Sequence, residues 1–203
     1  MREREVRAAL HVDLGILYGA EPDTLIVNEL GVCSAAVRID VAVVNGALHG
    51  FEIKSQLDTL ERLPVQQEIY SRVFDTVTLV AASRHLRKVE EIVPKWWGVL
   101  EVIEAAPILL RIVRPSVVNQ GIDPYSVAQL LWHDEALAAL DAVGAAAGMS
   151  RRPRRYLYEA LAAILPLDVL RHVVRTTIKA RGNWRSVPPR KSDGEKYRPF
   201  STS

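Results

Sequence analysis

The stretch RIDVAVVNGALHGFEIKS, residues 38–55, joins two branched apolar segments through an Asn-Gly dipeptide at 45–46 and carries three charged groups in or beside those segments. Asn-Gly tolerates the left-handed backbone of a two-residue hairpin turn, so an antiparallel strand is predicted on each side. Side chains two residues apart share a strand face, which places Glu52 and Lys54 together. Asp40 lies on the preceding strand, a few residues off direct opposition to Glu52. A twist or bulge at the sheet edge would bring the two carboxylates together.

These charges need compensation if the strands are buried. Two carboxylates and an ammonium are costly among apolar neighbours unless they neutralise one another or hold a cation. Mg²⁺ prefers carboxylate and carbonyl oxygens and often uses only one or two carboxylates, with water and substrate phosphate completing its shell. The backbone carbonyl of Ile53, between Glu52 and Lys54, is therefore a third candidate ligand. The alternative is an exposed edge hairpin with solvated charges, which the apolar runs VAVV and TVTLV disfavour.

The surrounding pattern predicts a mixed α/β fold. Apolar residues at helical spacing indicate a first helix, and short branched apolar runs indicate strands. Asp58 is a candidate N-cap, and Pro64 should begin a second helical piece or a kink. The predicted order is a helix at 2–18, strands at 24–30, 37–45 and 47–55, a helix at 58–74, a strand at 76–82, and two short strands around 99–103 and 108–113.

The composition changes after Pro115, where alanine-rich and basic helical segments begin. We expect a core at 1–118, a basic helical module at 119–185, and a flexible basic tail at 186–203. Residues 151–203 carry 13 Lys and Arg against 4 Asp and Glu, whereas the first 150 residues carry 13 against 20. A basic segment on an acidic body suits a polyanionic partner. The alternative is a solvated helix that holds the acidic body by ion pairs.

Bulk properties limit the setting. The chain has 203 residues and a single cysteine, Cys33, so it has no internal disulfide and no cysteine metal cage. No apolar run approaches the roughly 18 residues needed to span a bilayer, and the charged N-terminus does not resemble a signal peptide. We therefore predict a cytoplasmic protein without a membrane partner. The oligomeric state is open, a homodimer included.

The spacing Asp-x11-Glu-x-Lys, within the order helix, three strands, helix, strand, resembles the PD-(D/E)XK nuclease superfamily. The resemblance implies a restriction-endonuclease-like core in which Asp40, Glu52 and Lys54 are catalytic. Asp40, Glu52 and the Ile53 carbonyl would bind Mg²⁺ or Mn²⁺. Ile39 stands where the motif has proline. The phrases around GFEIKS and PKWWGVL also resemble a bacterial family within that superfamily that carries no established substrate.

The resemblance extends to residues around the motif. Glu29 matches an upstream acid that could join the metal, and Glu5 matches the helix-borne glutamate of some members. Gln66 and Tyr70 match the Gln-x-x-x-Tyr helix of RecB-like nucleases, and their spacing puts both on one helix face. These residues would support the site or contact the substrate. The implied activity is divalent-metal-dependent hydrolysis of phosphodiester bonds, with DNA as the expected substrate and RNA as the alternative.

Further side chains are candidates for substrate contact. Arg38, two residues before Asp40, is predicted to pair with Glu29 or Asp40, with phosphate as the alternative. Ser55 could touch phosphate or cap a helix. Arg84 and His85 directly follow a predicted strand, and ligand crevices often lie at that end of a strand. The remaining nucleic-acid candidates are basic residues of the C-terminal part: Arg151, Arg152, Arg154, Arg155, Arg181 and Arg185.

Two other functions stay open on the sequence. One is a nucleic-acid-binding or protein-interaction module on a nuclease-like fold that performs no catalysis. The other is a helical adaptor that recruits a partner protein through its C-terminal half. The three charged motif residues favour the nuclease.

Overall fold

The structure is a computed structural model that describes residues 1–182. Within that range it contains six strands and seven α-helices. No helix among the described residues combines the length and the apolar character needed to cross a bilayer. The elements are α1 Glu3–Tyr18, β1 Leu25–Val32, β2 Val37–Val44, β3 Leu48–Lys54, α2 Leu63–Tyr70, β4 Thr76–Ala82, a 3-10 turn Ser83–His85, α3 Leu86–Ile92, β5 Gly98–Ile103, β6 Leu109–Arg114, α4 Pro124–Ala128, α5 His133–Asp141, α6 Arg154–Ile164 and α7 Leu167–Ala180.

The six strands form one sheet in chain order, from β1 at one edge to β6 at the other. The first three strands pair antiparallel, β3, β4 and β5 pair parallel, and β6 returns antiparallel to β5. Each parallel connection contains a helix, as a crossover between parallel strands requires. The predicted mixed α/β class and the order helix, three strands, helix, strand are confirmed.

Helices cover both faces of the sheet. On one face α1 buries Val6, Leu10 and Leu14, a stripe at helical spacing that packs on Val41 and Val80. On the other face α2 and the C-terminal helices pack on a larger cluster of buried residues. Burial on both faces explains why the central strands read as continuous apolar runs.

The helix predicted at 58–74 begins later than expected and ends earlier. Asp58 does not cap a helix, because its Oδ2 accepts hydrogen bonds from the backbone N–H and the hydroxyl of Ser55, at 2.7 and 2.6 Å. This contact closes a turn after β3. The helix starts at Leu63, with Pro64 in its first turn, where the missing N–H of proline leaves no intrahelical bond unmade. The prediction that Pro64 opens a helical piece is therefore confirmed.

The C-terminal helices share their core with the sheet. Leu157 of α6 and Leu170 of α7 belong to the same buried cluster as Val77 of β4. That cluster crosses the boundary predicted after residue 118, which itself stays a prediction. The predicted flexible tail, 186–203, lies outside the described residues.

Asp75 joins three parts of this structure. It is 3% exposed, and its Oδ2 accepts a hydrogen bond of 2.6 Å from the Leu48 N–H at the start of β3. Its Oδ1 accepts from the guanidinium of Arg171 on α7. Its backbone carbonyl accepts from Asn119 N–H at 2.8 Å, in the segment before α4. A buried carboxylate with these partners attaches α7 to the amino-terminal edge of the central strands.

We expect Asp75→Ala to lower the free energy of unfolding by about 3 kcal/mol, because it leaves a half-buried guanidinium and a buried N–H without their acceptor. Denaturant titration followed by circular dichroism measures this change. The matched control is Asp134→Ala, which removes a fully exposed carboxylate whose one salt bridge within residues 1–182 is to His133. Equal unfolding midpoints for the two variants would show that Asp75 does not hold α7 to the sheet.

Candidate active site

The candidate site lies where β2 separates from β3. Their ladder ends at the pair Val41 and Phe51, although β2 stays paired with β1 as far as Val37. Beyond that point the Ile53 N–H donates to Oδ2 of Asp40 at 2.7 Å. An aspartate side chain thus takes the place of a backbone acceptor on the neighbouring strand. The register puts position 40 opposite position 52, which corrects the expected offset of a few residues.

A paired irregularity in β1 and β2 lies beside this opening. Glu29 and Asp40 would face each other in the register, yet they are missing from the ladder, and Glu29 has φ 57°. Val27 and Leu30 are three apart but lie in the same buried cluster, so the alternation of faces slips by one residue. The register is the same on both sides of this gap, so each strand leaves one residue unpaired and neither carries an insertion. The irregularity turns Asp40 towards the opening instead of either sheet face.

The irregularity also overturns the prediction for Arg38. Because side chains two residues apart share a face on a regular strand, Arg38 was predicted to lie beside Asp40. The alternation of faces breaks at Ile39, so that expectation does not hold here. Arg38 is exposed and makes no salt bridge among residues 1–182. Its contribution to the site is its carbonyl oxygen, which lies 2.5 Å from the hydroxyl of Tyr70.

Glu52 is 2% exposed and is surrounded by hydrogen-bond donors. Its Oε1 accepts from Lys54 Nζ at 2.8 Å and from Gln66 Nε2 at 2.6 Å, and Oε2 lies 3.0 Å from the hydroxyl of Tyr70. Lys54 also donates to Gln66 Oε1 at 3.0 Å. The structure therefore brings together Glu52, Lys54, Gln66 and Tyr70, as the sequence predicted. Each donor satisfies part of a carboxylate that water cannot reach.

Burial dominates the electrostatics of both acids. Loss of hydration, the largest cause, and the nearby Glu52 raise the pKa of Asp40 from 3.8 to about 7 against the opposing effects of the Ile53 N–H and Arg7. Loss of hydration also raises the pKa of Glu52, although Lys54, Tyr70 and Gln66 oppose it. The pKa values of both carboxyls are thus raised mainly because burial disfavours their charged forms, and strongly perturbed carboxyls of this kind are typical of functional sites.

The sequence missed Glu3 and Arg7. The Arg7 guanidinium contacts Glu3, lies 2.6 Å from Glu29 Oε1 and 3.0 Å from Asp40 Oδ1, and donates to the Asp40 carbonyl at 2.9 Å. The signal for them is the row Glu3, Arg7 and His11, spaced four apart beside the apolar stripe of α1. That row faces β1, where His11 Nε2 lies 2.7 Å from Asn28 Oδ1.

The prediction for Glu5 is wrong in its position. Its carboxylate accepts the Arg2 N–H at 2.6 Å and lies at the exposed start of α1, away from the site. Glu3 takes the predicted place instead, because its carboxylate oxygen, one of Glu29 and one of Asp40 all lie within 4.8 Å of one another.

The oxygens around the opening fit a hard divalent cation. Carboxylates of Asp40 and Glu52 line it, and the Ile53 carbonyl points to the same side as the Ile53 N–H, towards Asp40, because both groups of a strand residue face one neighbour. Carboxylate and carbonyl oxygens are the ligands that Mg²⁺ and Mn²⁺ prefer. Glu29 lies close enough to Asp40 to join them.

Three further candidates, Ser55, His85 and Arg84, make hydrogen bonds within the fold. Ser55 is buried and closes the turn with Asp58. His85 is buried, with Nε2 3.1 Å from the Ser55 carbonyl, so its ring does not lie on the surface. Arg84 is exposed and donates to the Asp58 carbonyl at 2.8 Å. Of these three, only Arg84 presents its side chain to solvent at the carboxyl end of β4.

The basic candidates divide into two groups. Arg181 is engaged with Glu135 at 2.7 Å and stacks over Trp132 at 4.3 Å, so it is not available to phosphate. Arg185 lies outside the described residues. The exposed candidates lie at the start of α6, where two of them flank the ring of Tyr156 at 5.4 and 4.7 Å: Arg151, Arg152, Arg154 and Arg155.

Comparison with known proteins identifies relatives over nearly the whole chain. The family model described as Bacteriophage P4 protein cII matches residues 1–187. Protein cII of Enterobacteria phage P4 is 32% identical over 182 residues, which cover 89% of this chain and 68% of the relative. A solved protein of unknown function from Silicibacter pomeroyi superposes with a TM-score of 0.46 at 17% identity, over 75% of this chain and 98% of its own. The match of the family model over residues 1–187 shows that the chain belongs to the bacteriophage P4 protein cII family.

Proposed function

We propose that this protein is a divalent-metal-dependent nuclease built on a restriction-endonuclease-like core. The observation that carries the proposal is the bond of Asp40 to the Ile53 N–H, between Glu52 and Lys54 on β3, together with the bonds of Lys54, Gln66 and Tyr70 to Glu52. The name of the phage relative, protein cII, states no activity, so the site has to carry the argument. Location in the cytoplasm is part of the proposal.

The chain's residues have distinct roles in hydrolysis of a phosphodiester. Asp40, Glu52 and the Ile53 carbonyl would hold Mg²⁺ or Mn²⁺, which polarises phosphate oxygens and lowers the pKa of water. Lys54 orients the attacking water or stabilises the charge that develops on the phosphoryl oxygens. Gln66 holds Lys54 and Glu52 in their relative positions, since it bonds both side chains.

The proposed substrate is DNA, with RNA as the second choice. Four exposed arginines at 151–155 and the exposed Arg84 make no salt bridge to a carboxylate among the described residues, so they are available to a phosphate backbone. Tyr156 is half-buried between two of these arginines and could add stacking on a base. Charge of this kind gives affinity without sequence preference.

A second candidate is a nucleic-acid-binding module without catalysis. The observation that favours it is the saturation of the acids: Oδ1 of Asp40 faces Arg7, Oδ2 faces the Ile53 N–H, and both oxygens of Glu52 have protein partners. Such a network could be structural. It would give binding that weakens with salt and does not respond to a chelator.

We expect Asp40→Asn, Glu52→Gln and Lys54→Met each to reduce Mn²⁺-dependent cleavage of DNA about 100-fold or more, because each removes a charge from the reacting centre while keeping its volume. Gel analysis of circular and linear DNA with Mn²⁺ measures the rate. Loss of the circle would identify an endonuclease, and loss of only the linear form an exonuclease.

Matched controls come from the exposed face of α3. Glu91→Gln and Lys88→Met change the same charges away from the site and should cleave like the wild type, and circular dichroism should show all five variants folded. Wild-type protein that shifts DNA in a gel, with or without chelator, and never cuts it would favour the binding module instead.

The raised pKa of Asp40 predicts a pH dependence of stability. Between pH 3.8 and about pH 7 the folded protein keeps the proton on the Asp40 carboxyl. In the unfolded chain this carboxyl loses its proton near its ordinary pKa of 3.8. The free energy of unfolding of the metal-free protein should therefore fall as the pH rises through this range, by up to about 1.4 kcal/mol per pH unit for one carboxyl. Denaturant titrations at several pH values, compared with Asp40→Asn, measure it. Parallel curves for the two proteins would contradict the raised pKa.

A further inference from the structure

Arg7 is the cation that faces Asp40 in this structure. Its Nη2 lies 3.0 Å from Oδ1 of Asp40 and also contacts Glu3 and Glu29, while its Nη1 donates to the Asp40 carbonyl at 2.9 Å. The Arg7 side chain is 18% exposed, so its guanidinium is held in a mostly desolvated position. Charge-assisted bonds of this kind are stronger than neutral ones.

The geometry makes Arg7 a competitor for the oxygen that a metal would use. Oδ2 of Asp40 accepts the Ile53 N–H at 2.7 Å, so a metal that Asp40 shares with Glu52 would also draw on Oδ1, which accepts from Arg7 at 3.0 Å. A divalent cation that binds Oδ1 must take over the bond to the guanidinium. Two positive groups cannot share that oxygen at close range without mutual repulsion.

Glu3 and Glu29 supply an alternative position for the guanidinium. Both already contact Arg7, and both can keep that contact if it lets go of Asp40. Glu29 adopts φ 57°, a left-handed backbone that is unfavourable for a residue with a side chain. Strain retained at such a position is a mark of functional constraint. Here the constraint delivers a carboxylate to Arg7.

We propose that Arg7 is a positioning residue that acts as the resident counter-ion of Asp40 in the metal-free protein and moves onto Glu3 and Glu29 when a divalent cation binds. It stabilises the empty site and weakens the affinity for metal. This inference rests on the proposed function, because it takes Asp40 as a metal ligand.

The test compares Mn²⁺ binding to the metal-free wild type and to Arg7→Gln by isothermal titration calorimetry. Loss of the competing cation should tighten Mn²⁺ binding by about tenfold or more. Without metal, Arg7→Gln should also unfold at a lower temperature than the wild type, and saturating Mn²⁺ should narrow that gap. The control is Arg4→Gln on the exposed face of the same helix, which should match the wild type in both measurements.

A second variant guards against misfolding of the first. Arg7→Lys keeps the charge but loses the planar fork, so it should fold and bind Mn²⁺ with an affinity between those of the wild type and Arg7→Gln. Equal or weaker Mn²⁺ binding in both variants would overturn the inference, because Arg7 would then only orient Asp40. If neither the wild type nor any variant binds Mn²⁺, the proposed function fails together with this inference. If the proteins bind Mn²⁺ but their affinities do not fall in the order Arg7→Gln, Arg7→Lys, wild type, only this inference fails.

Discussion

The opening between β2 and β3 is the constraint on which the candidate site depends. Once the ladder stops at Val41 and Phe51, the backbone of β3 needs a different acceptor, and the carboxylate of Asp40 supplies it at Ile53. The hydroxyl of Tyr70 fills the other side of the opening by bonding Glu52 and the Arg38 carbonyl. Buried polar groups must find such partners. The strands can therefore separate only because side chains replace the missing backbone bonds.

The same opening gathers more negative charge than the fold neutralises. Asp40, Glu52, Glu29 and Glu3 approach it, and among the described residues Arg7 and Lys54 are the cations that contact them. Apolar residues in place of these charged groups would make the core more stable, since buried ion pairs rarely offset the cost of their desolvation. The presence of these charged groups is consistent with a site at which a bound ligand completes the charge balance. The excess of carboxylates favours a cation as that ligand.

The C-terminal helices extend the sheet's own core and are held to it by charge. Leu157 and Leu170 pack in the cluster that includes Val77, and Arg171 binds the buried Asp75. Lys179 reaches Asp23 before β1 at 2.6 Å. The arginines at the start of α6 therefore stand on a helix that shares its buried core with the sheet of the candidate site.

Much of this fold follows from local pattern. Branched apolar runs and the Asn-Gly turn predict the hairpin of β2 and β3, and the Gln-x-x-x-Tyr spacing places Gln66 and Tyr70 on one face of α2. These features depend on neighbours in the chain, where periodicity and turn chemistry act directly. Glu52 and Lys54 were predicted to lie together for the same reason, because spacing along a regular strand fixes which side chains share a face, whereas Asp40 was identified through the Asp-x11-Glu-x-Lys resemblance.

The tertiary structure alone decided which charges meet Asp40. The two-residue rule assigned Arg38 to it, but the paired irregularity at Glu29 turns that side chain outward. Arg7 arrives instead because the apolar stripe of α1 sets the rotation of the helix on the sheet, and that rotation brings Glu3 and not Glu5 to β1. The sequence by itself determined the strands, the hairpin and the motif. Helix rotation and an irregularity shared by two strands are set by long-range packing, which no local spacing records.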